Sequence, residues 1–209
     1  LASAAIATFT DGVTDIGLLD PSNVISFTAT GATLDASDIF DLTALTAGTI
    51  TLEAVATGGA DPVIQGTAST IADVLNSTQV AMIEGGAAAG KPISASAITV
   101  SDVSGSIVQA SDLHTIVDGT TDLVTVTNGA GITVSGLIAD INAVYAAQEN
   151  AANDPVSVAT TDAINGLGTS DVIVTDLEVD VAALNELVTA AYTAPLTTGN
   201  VTVISNSIS

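Results

Sequence analysis

The chain has no cysteine, no arginine and no tryptophan, and its 209 residues include one lysine (Lys91), one histidine (His114) and only two tyrosines and three phenylalanines. Each absence closes off a class of protein. Without cysteine there are no disulfides, no thiolate metal ligands and no thiol nucleophile. With 23 acidic residues against one basic residue, the formal net charge is −22. Nucleic acids are bound by neutralising phosphates with Lys and Arg, so DNA and RNA are excluded as partners, as is an anionic membrane surface. No apolar run approaches the roughly 18 residues of a membrane span, which argues against membrane insertion. No charged n-region followed by an apolar h-region opens the chain. The first residue is Leu1 rather than Met, which reads as a processed form or a slice of something longer. What is abundant is small and aliphatic. Hydrophobic residues make up 47% of the chain, too many for a disordered acidic tail. With Phe9, Phe27, Phe40, Tyr145 and Tyr192 as the aromatics, the core must be built from Ala, Val, Ile and Leu, which suit thin, regular layers.

Those layers recur. Gly31-Ala-Thr-Leu-Asp-Ala-Ser-Asp-Ile39 returns as Gly105-Ser-Ile-Val-Gln-Ala-Ser-Asp-Leu113, an offset of 74 that also aligns Thr49-Ile-Thr-Leu52 with Leu123-Val-Thr-Val126. Twice that offset aligns Ile16 and Ser22 to Ile25 with Ile164 and Ser170 to Ile173, and Ser101-Asp102-Val103 stands one offset before Thr175-Asp176-Leu177. Self-similarity at a fixed period is the signature of a repeat architecture. The spacing predicts the end of a preceding copy over 1–15, full copies over 16–89 and 90–163, and a partial third over 164–209. Local slips in phase, such as Leu184 lying 71 after Leu113, mark loops.

Each copy mixes two periodicities. The β-branched runs Val24 to Phe27, Thr49 to Leu52, Ile98 to Val100, Leu123 to Val126, Gly131 to Val134, Val172 to Val174 and Val201 to Ile204 read as strands. Leu137, Ile138, Ile141, Val144 and Tyr145, and again Val181, Leu184, Leu187, Val188 and Ala191, follow helical spacing. Asp35 and Asp180 precede their helices as N-caps, and Gln109 is a weaker cap at the same phase. Asp11-Gly12, Asp118-Gly119 and Asn128-Gly129 read as tight turns. No copy holds enough bulky residues to stand alone, so neighbours must bury one another's faces. The expected fold is an α/β repeat solenoid with mainly parallel short strands alternating with short helices. Tandem β-sandwich modules are the alternative, although sandwiches want about seven strands in about 100 residues and have no place for the recurring helices.

The run Ile164-Asn-Gly-Leu-Gly-Thr-Ser-Asp-Val-Ile-Val-Thr-Asp-Leu177, followed by Val181-Ala-Ala-Leu-Asn185, resembles repeats of very long surface or secreted proteins from cyanobacteria and other marine bacteria. The resemblance implies an extracellular or cell-surface location and a structural or adhesin-like role. Some such proteins also carry calcium-binding glycine-aspartate nonapeptides. These are missing here, so a calcium roll is not implied.

Three constellations invite a chemical reading. Gly85-Gly-Ala-Ala-Ala-Gly90-Lys91 fits most of a phosphate-binding loop and follows a strand pattern at Gln79 to Ile83. Pro92, however, stands where a Ser or Thr should meet magnesium and disfavours helical geometry at Lys91, so a Gly/Ala linker is the better reading. His114 has Ser111, Asp112 and Asp118 nearby, but the matching position one copy earlier is Phe40, as if the site wants bulk rather than a base. No catalytic constellation emerges, and the chain is not expected to be an enzyme. Asp102, Asp171, Asp176, Glu178 and Asp180 cluster near strand ends. They read first as solubilising charge and second as candidate calcium ligands, since hard cations take several loop oxygens. A glycan is the other candidate partner, although the scarcity of aromatic platforms argues against it.

The two ends of the chain are complementary in phase. Leu1 to Thr10, with Ile6 and Phe9, and Asn200 to Ser209, with Val201, Val203 and Ile208, are uncharged strand patterns. Strand addition at such ends makes a second copy of this chain the expected partner. The expected function is a structural subunit polymerising head to tail into an extracellular filament or surface layer. A calcium-dependent adhesin or glycan-binding module is the alternative.

Overall fold

The computed structural model describes residues 27–31, 33–45, 47–48, 50–53, 62–78, 80–82, 97–120, 122–153, 163–168, 170–188, 201–204 and 207–208. Short strands alternate with helices along them. In order they are β1 (Phe27–Thr30), β2 (Thr33–Asp35), α1 (Ala36–Leu45), β3 (Ile50–Glu53), β4 (Val63–Gly66), α2 (Ala68–Asn76), β5 (Val80–Met82), β6 (Ile98–Val100), β7 (Ile107–Gln109), α3 (Ala110–Gly119), β8 (Val124–Val126), β9 (Thr133–Gly136), α4 (Ile138–Asn153), β10 (Ile164–Asn165), β11 (Asp171–Val174), β12 (Glu178–Val179), α5 (Val181–Val188), β13 (Val201–Val203) and β14 (Ser207–Ile208).

Every strand pairing among the described residues is parallel and joins a strand to the one two places along the chain. The orders are β1-β3-β5, β10-β8-β6-β4-β2, β13-β11-β9-β7 and β12-β14. Parallel neighbours need a crossover rather than a hairpin, and the helices and intervening strands supply it. Consecutive helices lie against one another, α1 on α2, α2 on α3, α3 on α4 and α4 on α5. The molecule is therefore an α/β structure of parallel sheets with helices alternating between strands. The antiparallel pairing that defines a β-sandwich does not occur among the described residues, so the sandwich alternative fails.

The register explains why such short strands suffice. Leu34, Ile64, Ile98, Val124 and Ile164 stand side by side on successive strands of one sheet, and each is at most 1% exposed. Val108, Val134 and Val172 form the matching buried column in another sheet. Side chains alternate across a strand, so each strand of three or four residues places one or two aliphatics inside, and lateral stacking turns them into a continuous core. The outward column Asp35, Gln65, Thr99, Thr125 and Asn165 is polar and partly or fully exposed. The helices close the other side with Ile39 and Leu42, Ile71, Val74 and Leu75, Leu113 and Ile116, and Ile141, Val144 and Tyr145, all buried.

Several boundaries differ from the sequence reading. Gly129–Gly131 forms a 3₁₀ turn, so the strand expected from Gly131 begins at Thr133. Asp118 and Gly119 end α3 rather than forming a loop turn. The pair β4–α2 was not expected, although Thr67 caps α2 by accepting from the Thr70 N–H at 3.3 Å.

Candidate functional site

The residues expected to drive assembly are placed by the edge strands of the described sheets. β13 pairs with β11 through Val172↔Val201, Ile173↔Thr202 and Val174↔Val203, and among the described residues nothing pairs with its other flank. The Ile204 N–H donates to the Val174 carbonyl at 2.9 Å. Backbone direction alternates along a strand, so the Thr202 N–H points to β11 as well, and those of Val201 and Val203 point away from it. Val201 is 36% exposed and Ile204 62%. The edge is thus apolar, uncharged and furnished with outward donors, the combination that natural proteins normally blunt with charge or proline. Among the described residues β14 is paired only with β12, through Glu178↔Ser207 and Val179↔Ile208. Among the described residues β1 is paired only with β3. Of the residues expected to drive assembly, Val201, Val203 and Ile208 lie on these edge strands, while Leu1, Ile6 and Phe9 lie outside the described residues.

The five candidate calcium ligands are placed at strand ends, and three of them engage helix N-termini. An Asp102 carboxylate oxygen accepts from the Ala68 N–H at the start of α2 at 2.8 Å. Asp176 does the same for the Ile138 N–H at the start of α4, at 2.7 Å. Asp180 accepts from the Ala182 N–H in its own helix at 2.8 Å, as Asp35 does from the Ser37 N–H at 2.9 Å. Gln109 makes no side-chain cap, as its weaker chemistry implies. A carboxylate at a helix N-terminus satisfies an orphan donor and opposes the helix dipole. Asp171 and Glu178 are exposed on β11 and β12. Among the described residues no group of three or more His, Cys, Asp or Glu side chains is gathered as a metal would require.

His114 lies between two carboxylates. Its Nδ1 is 2.9 Å from Asp140 on α4 and its Nε2 is 3.5 Å from Asp118 on its own helix. The two nitrogens face opposite ways, so one ion cannot be held by all three groups. Asp140 was invisible to the sequence reading because it lies 26 residues away. Burial, and then the neighbouring Asp35 and Asp41, pushes the Asp38 carboxyl above its ordinary value. Burial, followed by Asp73 and Asp102, does the same to Asp112. The phosphate-loop-like Gly85 to Lys91 lies outside the described residues, while the strand expected before it is present as β5.

The corners between strands are built of glycine. Gly166 has φ +93°, and a side chain at Gly129 would run into the Gly166 carbonyl. The buried Ser170 hydroxyl donates to the Gly129 carbonyl at 2.5 Å, joining that corner to the next. Comparison of the chain with known proteins finds no match among family models, curated proteins or solved structures.

Proposed function

We propose that this chain is a structural subunit of an extracellular filament or cell-surface layer, an α/β solenoid that assembles head to tail through its open strand edges. The observation that carries the reading is the pairing rule. Each strand is completed by the strand two places on, and β13 offers the next position as an apolar, uncharged edge.

Equivalent contacts at spacings of 74 residues, or of 70 where the phase slips, support the solenoid. β2 and β7, α1 and α3, and β3 and β8 begin at 33 and 107, 36 and 110, and 50 and 124. Asp102 caps α2 as Asp176 caps α4. Gly66 lies against the Ala36 methyl as Gly136 lies against that of Ala110. The copies expected over 16–89 and 90–163 hold β1 to β5 with α1 and α2, and β6 to β9 with α3 and α4. Stacked repeats rely on polar faces to stop association, and a heterologous contact at an uncharged strand edge such as that of β13 propagates an open filament.

The extracellular location rests on the resemblance carried by Ile164 to Asn185. A calcium-dependent adhesin or glycan-binding module gains less support, because Asp102, Asp176 and Asp180 are directed at helix N–H groups. Negative-stain microscopy tests the proposal. The wild-type chain should form unbranched filaments, and Val201→Pro, which removes an outward N–H at a position proline tolerates, should abolish them while leaving the far-UV circular dichroism intact. A wild-type chain that stays monomeric at every concentration contradicts the reading.

A further inference from the structure

His114 is the chain's single imidazole, and its two ring nitrogens have different surroundings. Nδ1 stands 2.9 Å from an Asp140 oxygen on α4. An ionised carboxylate can only accept hydrogen bonds, so that contact assigns a ring hydrogen to Nδ1 and, in the neutral ring, leaves Nε2 with its lone pair. Nε2 faces the Asp118 carboxylate, one helical turn further along α3, across 3.5 Å. A charge-assisted N–H···O bond is about 2.7–2.9 Å long. With the hydrogen on Nδ1, two electron-rich atoms confront each other across the wider gap. A cation fits there. Nitrogen and oxygen ligands about 2.0–2.1 Å from a tetrahedral metal ion stand about 3.4 Å from one another.

We propose that His114 Nε2 and the Asp118 carboxylate bind a divalent transition-metal ion of the zinc class, with Asp140 as the positioning residue that holds the ring by its other nitrogen. A carboxylate on the second ring nitrogen of a metal-bound histidine fixes the tautomer and raises the basicity of the ligating nitrogen. Positions i and i+4 are neighbours on a helix surface, so α3 presents both ligands together. The side chains are 37% exposed at His114 and 67% at Asp118. Water therefore completes the coordination, and the ion exchanges with solvent. Asp140 comes from the next helix, so the ring that takes the ion on α3 is also tied to α4. Imidazole beside carboxylate selects zinc, nickel or copper, whereas calcium and magnesium take oxygen ligands. The site is distinct from the strand-end acids, three of which are directed at helix N–H groups.

A single histidine gives a single set of ring signals, so 1H–15N correlation spectra of the 15N-labelled chain, in solution or as filaments, read the site directly. Zinc chloride should move the Nε2 resonance, saturate at one ion per imidazole and leave Nδ1 carrying its hydrogen. Magnesium chloride should leave both nitrogens where they were. By calorimetric titration, Asp140→Ala should weaken zinc binding about 10–100-fold, and Asp118→Asn by at least about tenfold. His114→Phe, which installs the residue that α1 carries at the equivalent position, should lose the saturable site and keep only the diffuse binding of a chain with 23 acids. In the metal-free chain Asp140→Ala should also redistribute the ring hydrogen between Nδ1 and Nε2, a change that a merely structural role would not produce.

Far-UV circular dichroism establishes that each variant folds. Should one fail, the wild-type ring spectrum decides the case, because it reports both the nitrogen that takes the ion and the place of the hydrogen. Ring signals that ignore zinc overturn the proposal, as does a zinc-dependent shift at Nδ1 instead of Nε2. Zinc bound equally well by His114→Phe overturns it too. Unchanged affinity in Asp118→Asn would mean that the imidazole alone captures the ion, which removes the paired site. A ring hydrogen that stays in place in Asp140→Ala removes the positioning role.

Discussion

β8 and β13 are the same tripeptide, Val-Thr-Val, and meet equivalent partners on one flank, β6 and β11. They differ in the other flank. β8 is also paired with β10, and its two valines are 0% and 4% exposed, whereas Val201 on β13 is 36% exposed. Identical residues are core in one place and surface in the other, so burial here is conferred by the neighbouring strand rather than by the strand itself. Each strand contributes one or two aliphatics to a column, and the column is sealed only where it continues. The apolar area left open at β13 is what a neighbouring copy would cover, at a gain of about 25 cal/mol per Å² removed from water.

The interior of this comparison breaks most severely at the corner after β8. Gly129→Ala drives a methyl group into the Gly166 carbonyl, and backbone cannot step aside as a side chain can. Urea denaturation should show a loss of about 3 kcal/mol, the upper range for overpacking.

Next comes the carboxylate that ties two distant segments together. Asp176→Ala leaves the first N–H of α4 without its acceptor and should cost about 1–2 kcal/mol, with Asp176→Asn recovering part of it. Asp180→Ala removes an exposed cap within a single segment and should cost less, about 0.5–1 kcal/mol by the same measurement. Equal losses would mean that bridging two distant segments adds nothing to capping.

A third prediction concerns pH. The Asp38 and Asp112 carboxyls sit above their ordinary value because burial disfavours the charged form. One Asp38 oxygen is buried without a hydrogen-bond partner. A raised folded-state value means that the native state binds protons more readily than the unfolded chain, so these two groups detract from stability at neutral pH and cease to do so as pH falls through that value. Asp38→Asn and Asp112→Asn should raise the melting temperature at pH 7, with a benefit that shrinks towards pH 4. A benefit independent of pH would contradict the assignment to burial.

The smallest effect is expected at His114. Its contacts with Asp118 and Asp140 lie at the partly exposed surface, where such pairs contribute about 0–1 kcal/mol. His114→Phe, which installs the residue found at position 40, should shift the urea midpoint by no more than that.

The sequence made the strands legible where β-branched residues run together, as at Ile98 to Val100, Val124 to Val126 and Val172 to Val174, because burial on one face demands that pattern. β12 and β14 have two residues each, too few for any alternation to register. β4 and α2 were missed because Val63 and Ile64 make a short apolar pair and α2 opens on the small residues Ala68, Ser69 and Thr70. The local caps at Asp35 and Asp180 could be read from position alone. Asp102 and Asp176 stood out as acids at strand ends, but the N–H groups they accept from lie 34 and 38 residues earlier. Such partners are set by how distant segments pack, which no local pattern encodes. The 74-residue spacing told which positions are equivalent without telling which are adjacent.

The central claim is that parallel strands stack along one axis and that the stack continues from molecule to molecule. X-ray diffraction from aligned filaments measures this directly. The account predicts a meridional reflection at about 4.8 Å, the spacing between neighbouring strands, from material that keeps its helical circular dichroism. Filaments with no such reflection on the meridian would contradict it.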